Sequence, residues 1–128
     1  GLAQLQRIKK ILKIKLEIYK LYKSKINLID GISLHDVPNY AFNNHWLNIL
    51  KIDKKYGKSR DQLIKLFSNH DVQVRPVWYL NHKQKMFKKF QTFHIENAIE
   101  LIKQSLCLPS SSNLTNTQIS RIVKILDA

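Results

Sequence analysis

Two periods alternate along the chain. From Leu2 to about Ile26 the apolar positions Leu5, Ile8, Leu12, Leu16, Tyr19 and Tyr22 fall three and four apart, the spacing of one helical face. This predicts one long amphipathic helix. Asn27 to Asn44 carries the breakers Asp30-Gly31 and Val37-Pro38-Asn39 and reads as turn. From His45 to Asp53 the period drops to two. Trp46, Asn48, Leu50 and Ile52 fall on one side, with Leu47, Ile49 and Lys51 on the other, which predicts a strand buried on most of both faces.

The helical period returns after a loop at Lys54–Lys58. Ser59-x-x-Gln62 has the form of a capping box, in which the serine hydroxyl accepts a free amide hydrogen and the glutamine reaches back. The helix it opens runs over Arg60–Asn69 with Leu63, Ile64, Leu66 and Phe67 inward. Lys83 to Gln91 is expected as a short basic turn packed by its own Met86, Phe87 and Phe90. A helix is predicted over Phe93–Gln104, a short strand over Leu106–Leu108 ended by Pro109, and a last helix over Asn116–Asp127 behind a second capping box, Thr115-x-x-Gln118.

The most informative stretch lies between these. Val72 to Val77 alternates like a strand, but Pro76 has no amide hydrogen to give to a ladder, so the strand should end there or lie at an edge. Arg75, Trp78 and His82 then fall within eight residues. A strand delivering these side chains to its own end builds one wall of a pocket; the alternative is a core strand with a solvated Arg75 and a packed Trp78. The element order predicts an α/β fold of the two-layer α+β kind, with a short, mostly antiparallel sheet flanked by helices. The 128 residues form one domain, 1–128.

Composition narrows the chemistry. The formal net charge is +13, which invites a nucleic-acid reading. Yet 18 of the 22 basic residues are lysine, and arginine is the side chain that forks onto bases and phosphates. The abundance of Lys, Ile and Asn is read as compositional drift on solvated faces, including the eight basic residues set against Glu17 on the first helix. A basic nucleic-acid-binding module remains the alternative function. No apolar run approaches the roughly 20 residues of a membrane span. Cys107 is the only cysteine, which excludes an internal disulfide and fits a cytoplasmic protein. The five histidines show no metal-binding spacing, three glycines build no phosphate loop, and paired carboxylates are missing. The chain starts at Gly1 inside a helical pattern with no cap, as an excised piece of a longer protein would.

GLAQLQRI, NHWLNIL, the helix from Arg60, VQVRPVW with its nearby histidine, IENAIEL and LCLPSSSNLTNTQISRIV together resemble the C-terminal part of the DegT/DnrJ/EryC1/StrS sugar aminotransferases. Within that group the likeness is strongest to enzymes aminating a 4-keto nucleotide sugar on the way to bacillosamine- or legionaminic-type sugars. RPVW with a histidine and the LPSSSNLT loop are its most specific pieces. The resemblance implies the small domain of a fold-type I enzyme that works with pyridoxal phosphate. The large domain, with its Schiff-base lysine, would precede Gly1, and a neighbouring subunit would complete a homodimer. It implies a nucleotide-sugar substrate and an amino donor for the whole enzyme. No cofactor, no catalytic residue and no activity are expected of this piece alone. Carried over position by position, Asn44, Trp46, Arg75, Trp78 and His82 would face the sugar nucleotide, with Arg75 on an anion and His82 on a phosphate or hydroxyl.

Overall fold

The structure, a computed structural model, describes all 128 residues. Its helices are α1 (Leu2–Leu5), α2 (Ile8–Ile26), α3 (Arg60–Asn69), α4 (Glu96–Lys103) and α5 (Asn116–Leu126). Its strands are β1 (Ile32–Leu34), β2 (Asn48–Ile52), β3 (Arg75–Pro76) and β4 (Ser105–Leu108). The strands form one antiparallel sheet in the order β1-β2-β4-β3. Leu34 lies opposite Leu50, Leu50 opposite Leu106, and Leu106 opposite Pro76, so one row of apolar side chains crosses the sheet.

Leu34, Leu50 and Leu106 of that row belong to the core, while Pro76 ends it exposed at the sheet edge. Ile18, Tyr22 and Ile26 of α2, Leu63 and Phe67 of α3, and Ile119, Ile122, Val123 and Leu126 of α5 join Leu50, Ile52, Leu106 and Leu108 in one buried cluster. All four residues of β4 are buried, as its central place between β2 and β3 requires. The two-layer α+β architecture is as expected. Both capping boxes are present: Gln62 N donates to Ser59 Oγ at 3.3 Å and Ser59 N to Gln62 Oε1 at 2.7 Å, and Thr115 and Gln118 repeat the arrangement.

Several boundaries differ from expectation. Asn27–Asn44 is not all turn, because it contains β1. Gly31, at φ 80°, turns the chain there, and an added Cβ would come within 2.6 Å of the Tyr56 nitrogen. A Gly-led turn into three residues is too short for its alternation to stand out from loop. The strand expected from His45 starts only at Asn48, because His45 is left-handed at φ 49° and Asn43 and Asn44 fold back onto the next amides but one. Trp46 therefore leaves the row it was assigned to. Val72 and Val74 pack against the core, but only Arg75 and Pro76 are laddered. The first helix breaks at Gln6-Arg7, where Leu2 and Leu5 have no surface to bury against and packing does not hold the first turn. Helix α4 starts at Glu96, after the left-handed His94 at φ 44°. Met86, Phe87 and Phe90 do not form a packed turn: all three are exposed, with Phe87 and Phe90 in contact only loosely at 6.3 Å between ring centres.

Candidate substrate-binding site

The edge strand β3 sets out the site. Its ladder partner β4 holds Arg75 opposite Cys107, and Pro76 closes the ladder one residue later. Arg75 is exposed and lines a cleft of about 530 Å³ together with Gln73, Ser110, Ser111, Gln118 and Arg121. The walls come from three places: the approach to β3, the loop after β4, and the first turns of α5. The capping box at Thr115 starts α5 so that Gln118 and Arg121, three residues apart, share one side of it. Arg121 is held by a 2.8 Å bond from its Nη2 to the His70 carbonyl. Asp71, left-handed at φ 56°, is the one carboxylate in the cleft, against two guanidinium groups. Such a cleft suits an anion that hydroxyl and amide groups help to orient.

The aromatic residues gather next to it. Trp46 and Trp78 approach to 6.3 Å between ring centres at 40°, and both remain exposed, at 65% and 61%. Trp78 and His82 border a second hollow of about 630 Å³, with Ile49, Ile102, His35 and Ser105 on its floor and sides. His82 sits on the short helical turn Asn81–Lys83. Asn44 spends its side-chain oxygen on the Trp46 amide at 2.9 Å. The structure thus brings Trp78 and His82 to one hollow, with Trp46 against Trp78, and sets Arg75 in a separate cleft that shares no lining residue with that hollow. Asn44 acts on the turn that carries Trp46.

Burial shapes the titrating groups around these hollows. His35 Nε2 lies 3.3 Å from Ser105 Oγ, and burial, with Lys51 nearby, holds its pKa below the usual 6.5 while Asp36 opposes. His45 stacks on Tyr19 at 4.3 Å, and burial lowers its pKa too. Burial raises the Cys107 thiol, which leaves it a packed, inert side chain. Asn48 is 1% exposed and its amide meets no polar group of the chain. No three metal-binding side chains come together, and no helix is long and apolar enough to cross a membrane.

The sequence profile of the DegT/DnrJ/EryC1/StrS aminotransferase family matches residues 1–127. The chain belongs to that family. GDP-perosamine synthase of Vibrio cholerae is 29% identical over 125 residues, which cover 95% of this chain and 33% of that protein. Among solved structures, DesI, determined in the presence of its TDP-sugar product, superposes with a TM-score of 0.88 at 20% identity over 98% of this chain and 33% of DesI. The E. coli GDP-4-keto-6-deoxy-D-mannose-3-dehydratase with bound hydrated PLP does so at 0.85 and 17%, over 98% of this chain and 33% of the dehydratase. The chain spans about a third of the length of the curated relatives it matches.

Sequence reasoning missed the other half of the family member's cleft. Ser110 and Ser111 lie inside the LPSSSNLT stretch, but no spacing along the chain places them in one cleft with Arg75. Arg121 stands in no motif or spacing that sets it apart from the other basic residues. The available signal was the capping box, which fixes where α5 starts and hence which side Gln118 and Arg121 occupy.

Proposed function

We propose that this chain is the small domain of a pyridoxal-phosphate-dependent aminotransferase that aminates a keto nucleotide sugar. The observation that carries the reading is the Arg75 cleft, an anion-suited hollow at the open edge of the sheet, in a chain of this family. The names of relatives and neighbours support the substrate class, since they speak of GDP- and TDP-linked sugars. Arg75 and Arg121 bind an anionic part of the substrate, the diphosphate being the strongest candidate. Trp46 and Trp78 cover an apolar or planar part of it, and His82 donates to a sugar hydroxyl or a phosphate oxygen. Asn44 keeps Trp46 in place.

The residues of this chain do not by themselves make a cofactor site. No lysine lines the Arg75 cleft or the Trp78–His82 hollow, and none of the three glycines borders either. The Schiff-base lysine, the phosphate contacts and the acid that pairs with the ring nitrogen come from elsewhere in a longer, cytoplasmic, homodimeric enzyme. Bound there, the cofactor would supply the chemistry of amino-group exchange between a donor such as glutamate and the sugar's carbonyl carbon. The donor would leave as its 2-keto acid, whose new carbonyl oxygen comes from one water consumed, and the sugar's carbonyl oxygen would leave as one water released, so the exchange has no net water. This chain binds and orients the sugar nucleotide.

Two measurements test the reading. Pyridoxal phosphate added to the 128-residue chain is expected to give no stoichiometric Schiff-base absorbance beyond the background of surface lysines. The full-length protein with glutamate and a GDP- or dTDP-linked 4-keto sugar is expected to release 2-oxoglutarate. A defined single-lysine adduct with turnover on the short chain would overturn the division of labour; a full-length protein inert on every keto nucleotide sugar would overturn the substrate class. The alternative of a basic nucleic-acid-binding module gains no support from the relatives.

A further inference from the structure

Lys15 lies on α2, far from β3 in sequence, and none of the candidate residues adjoins it in the chain. Its ammonium nevertheless donates to three acceptors in two loops. These are the Trp46 carbonyl at 3.4 Å, the Ser110 hydroxyl at 3.2 Å and the Ser110 carbonyl. An ammonium has three hydrogens to give, so the set is filled. Ser110 Oγ in turn donates to the same Trp46 carbonyl at 2.6 Å, which closes a ring of bonds. Two helical turns further along α2, Tyr22 donates to the Pro109 carbonyl at 3.1 Å. The loop after β4 is thus tied down twice from one helix, and the Trp46 carbonyl is held by Lys15 and Ser110 together, beside the stack of His45 on Tyr19 of the same helix.

We propose that Lys15 is the positioning residue of the substrate site. Through Ser110 and the Trp46 carbonyl it fixes the aromatic pair relative to the Arg75 cleft, of which Pro109 and Ser110 form part. The two hollows share no lining residue, so a ligand spanning them needs their separation held constant. A side chain rooted in a packed helix does this better than either loop does for itself. Lys15 is half-buried, and burial lowers its pKa, in keeping with an ammonium that has exchanged water for protein acceptors. The inference rests on the reading that Trp46 and Arg75 meet the same substrate.

The test uses the only two tryptophans of the chain, Trp46 and Trp78, as reporters. Lys15→Met keeps the aliphatic stem and removes the donors, while Tyr22→Phe cuts only the second tie and serves as the control. Near-UV circular dichroism and iodide quenching of the tryptophans are expected to change in Lys15→Met and in Ser110→Ala, to stay near the parent in Tyr22→Phe, and to return part-way in Lys15→Arg. In the full-length enzyme, Lys15→Met is expected to raise KM for the nucleotide sugar by about fivefold, the worth of one ordinary hydrogen bond, with kcat little changed. Parent-like tryptophan signals in both Lys15→Met and Ser110→Ala, with far-UV spectra showing folded chains, would overturn the clamp. Altered signals with an unchanged KM would overturn its role in positioning. A full-length parent enzyme with no activity on any keto nucleotide sugar defeats the functional reading instead, and the tryptophan measurements tell the two failures apart.

Discussion

Arg75 precedes a proline on an edge strand, and both circumstances bear on what its side chain can do. The edge leaves it exposed, and the short ladder to Cys107 holds its backbone still. A guanidinium is charged at every working pH and offers five donors in a fixed plane, which suits binding and orientation and excludes proton transfer. Were it met only by water, its removal would change stability by no more than about 0.5 kcal/mol. Meeting an anion, its loss is expected to cost about 1.5–3 kcal/mol of binding, or roughly 10- to 100-fold in affinity. Steady-state kinetics on full-length Arg75→Ala should therefore show kcat/KM falling by that factor with an unchanged melting temperature. Arg75→Lys should recover only part, because an ammonium keeps the charge and loses the fork. An unchanged kcat/KM in both variants would remove Arg75 from the site.

Among the elements, α3 and α5 are the ones whose own sequences state where they begin. Each capping box satisfies amide hydrogens that the first turn of a helix leaves free. Helix α5 matters more to the site, because its start decides where Gln118 and Arg121 stand. Thr115→Ala and Ser59→Ala are each expected to cost about 1 kcal/mol in urea unfolding. The consequences should differ beyond stability: Thr115→Ala should also weaken substrate binding in the full-length enzyme, whereas Ser59→Ala should leave it alone. Equal kinetics in the two variants would count against the placement of the cleft wall by α5. Helix α3 contributes through its core side chains and through Arg60, whose Nη1 donates to the Ile102 carbonyl at 2.9 Å and so braces the end of α4.

At the scale of the whole molecule two imidazoles, His35 half-buried and His45 buried, set an acid limit. His35 and His45 both have folded pKa values held below 6.5, burial being the first cause for each. As pH falls through about 6.5 the unfolded chain takes up protons that the folded chain still refuses, so stability drops on acidification; above that value both states are neutral and the effect vanishes. The urea midpoint is expected to be lower at pH 5 than at pH 7.5, and the difference to shrink in His35→Gln and in His45→Asn, asparagine being tolerated at a left-handed φ. The exposed Asp30–Lys55 and Asp36–Lys23 pairs act in a separate window: their carboxyl values lie below the usual 3.8, so their support is lost only in stronger acid. A midpoint constant from pH 7.5 to pH 5 would refute the histidine account.

What the sequence determined by itself was local in its physics. The capping boxes, the helices they start and the terminating effect of Pro76 all depend on neighbours within a few residues and appear where the residues place them, and the apolar alternation of β2 holds from Asn48 onward. The motif pieces likewise sufficed for the family, because RPVW and LPSSSNLT are contiguous. Tertiary structure decided the rest. Strand β1 exists because an edge of β2 was free to pair with Ile32–Leu34, and three residues carry too little alternation to announce themselves. Trp46 left the sheet because left-handed His45 breaks the extended run ahead of it, a backbone choice that the apolar pattern does not encode. The cleft assembles Arg75, Ser110 and Arg121 from segments that only β4 and α5 bring together, and Lys15 reaches Ser110 across 95 residues. Contacts of that separation depend on the packing of one helix against one sheet, and no spacing along the chain records them.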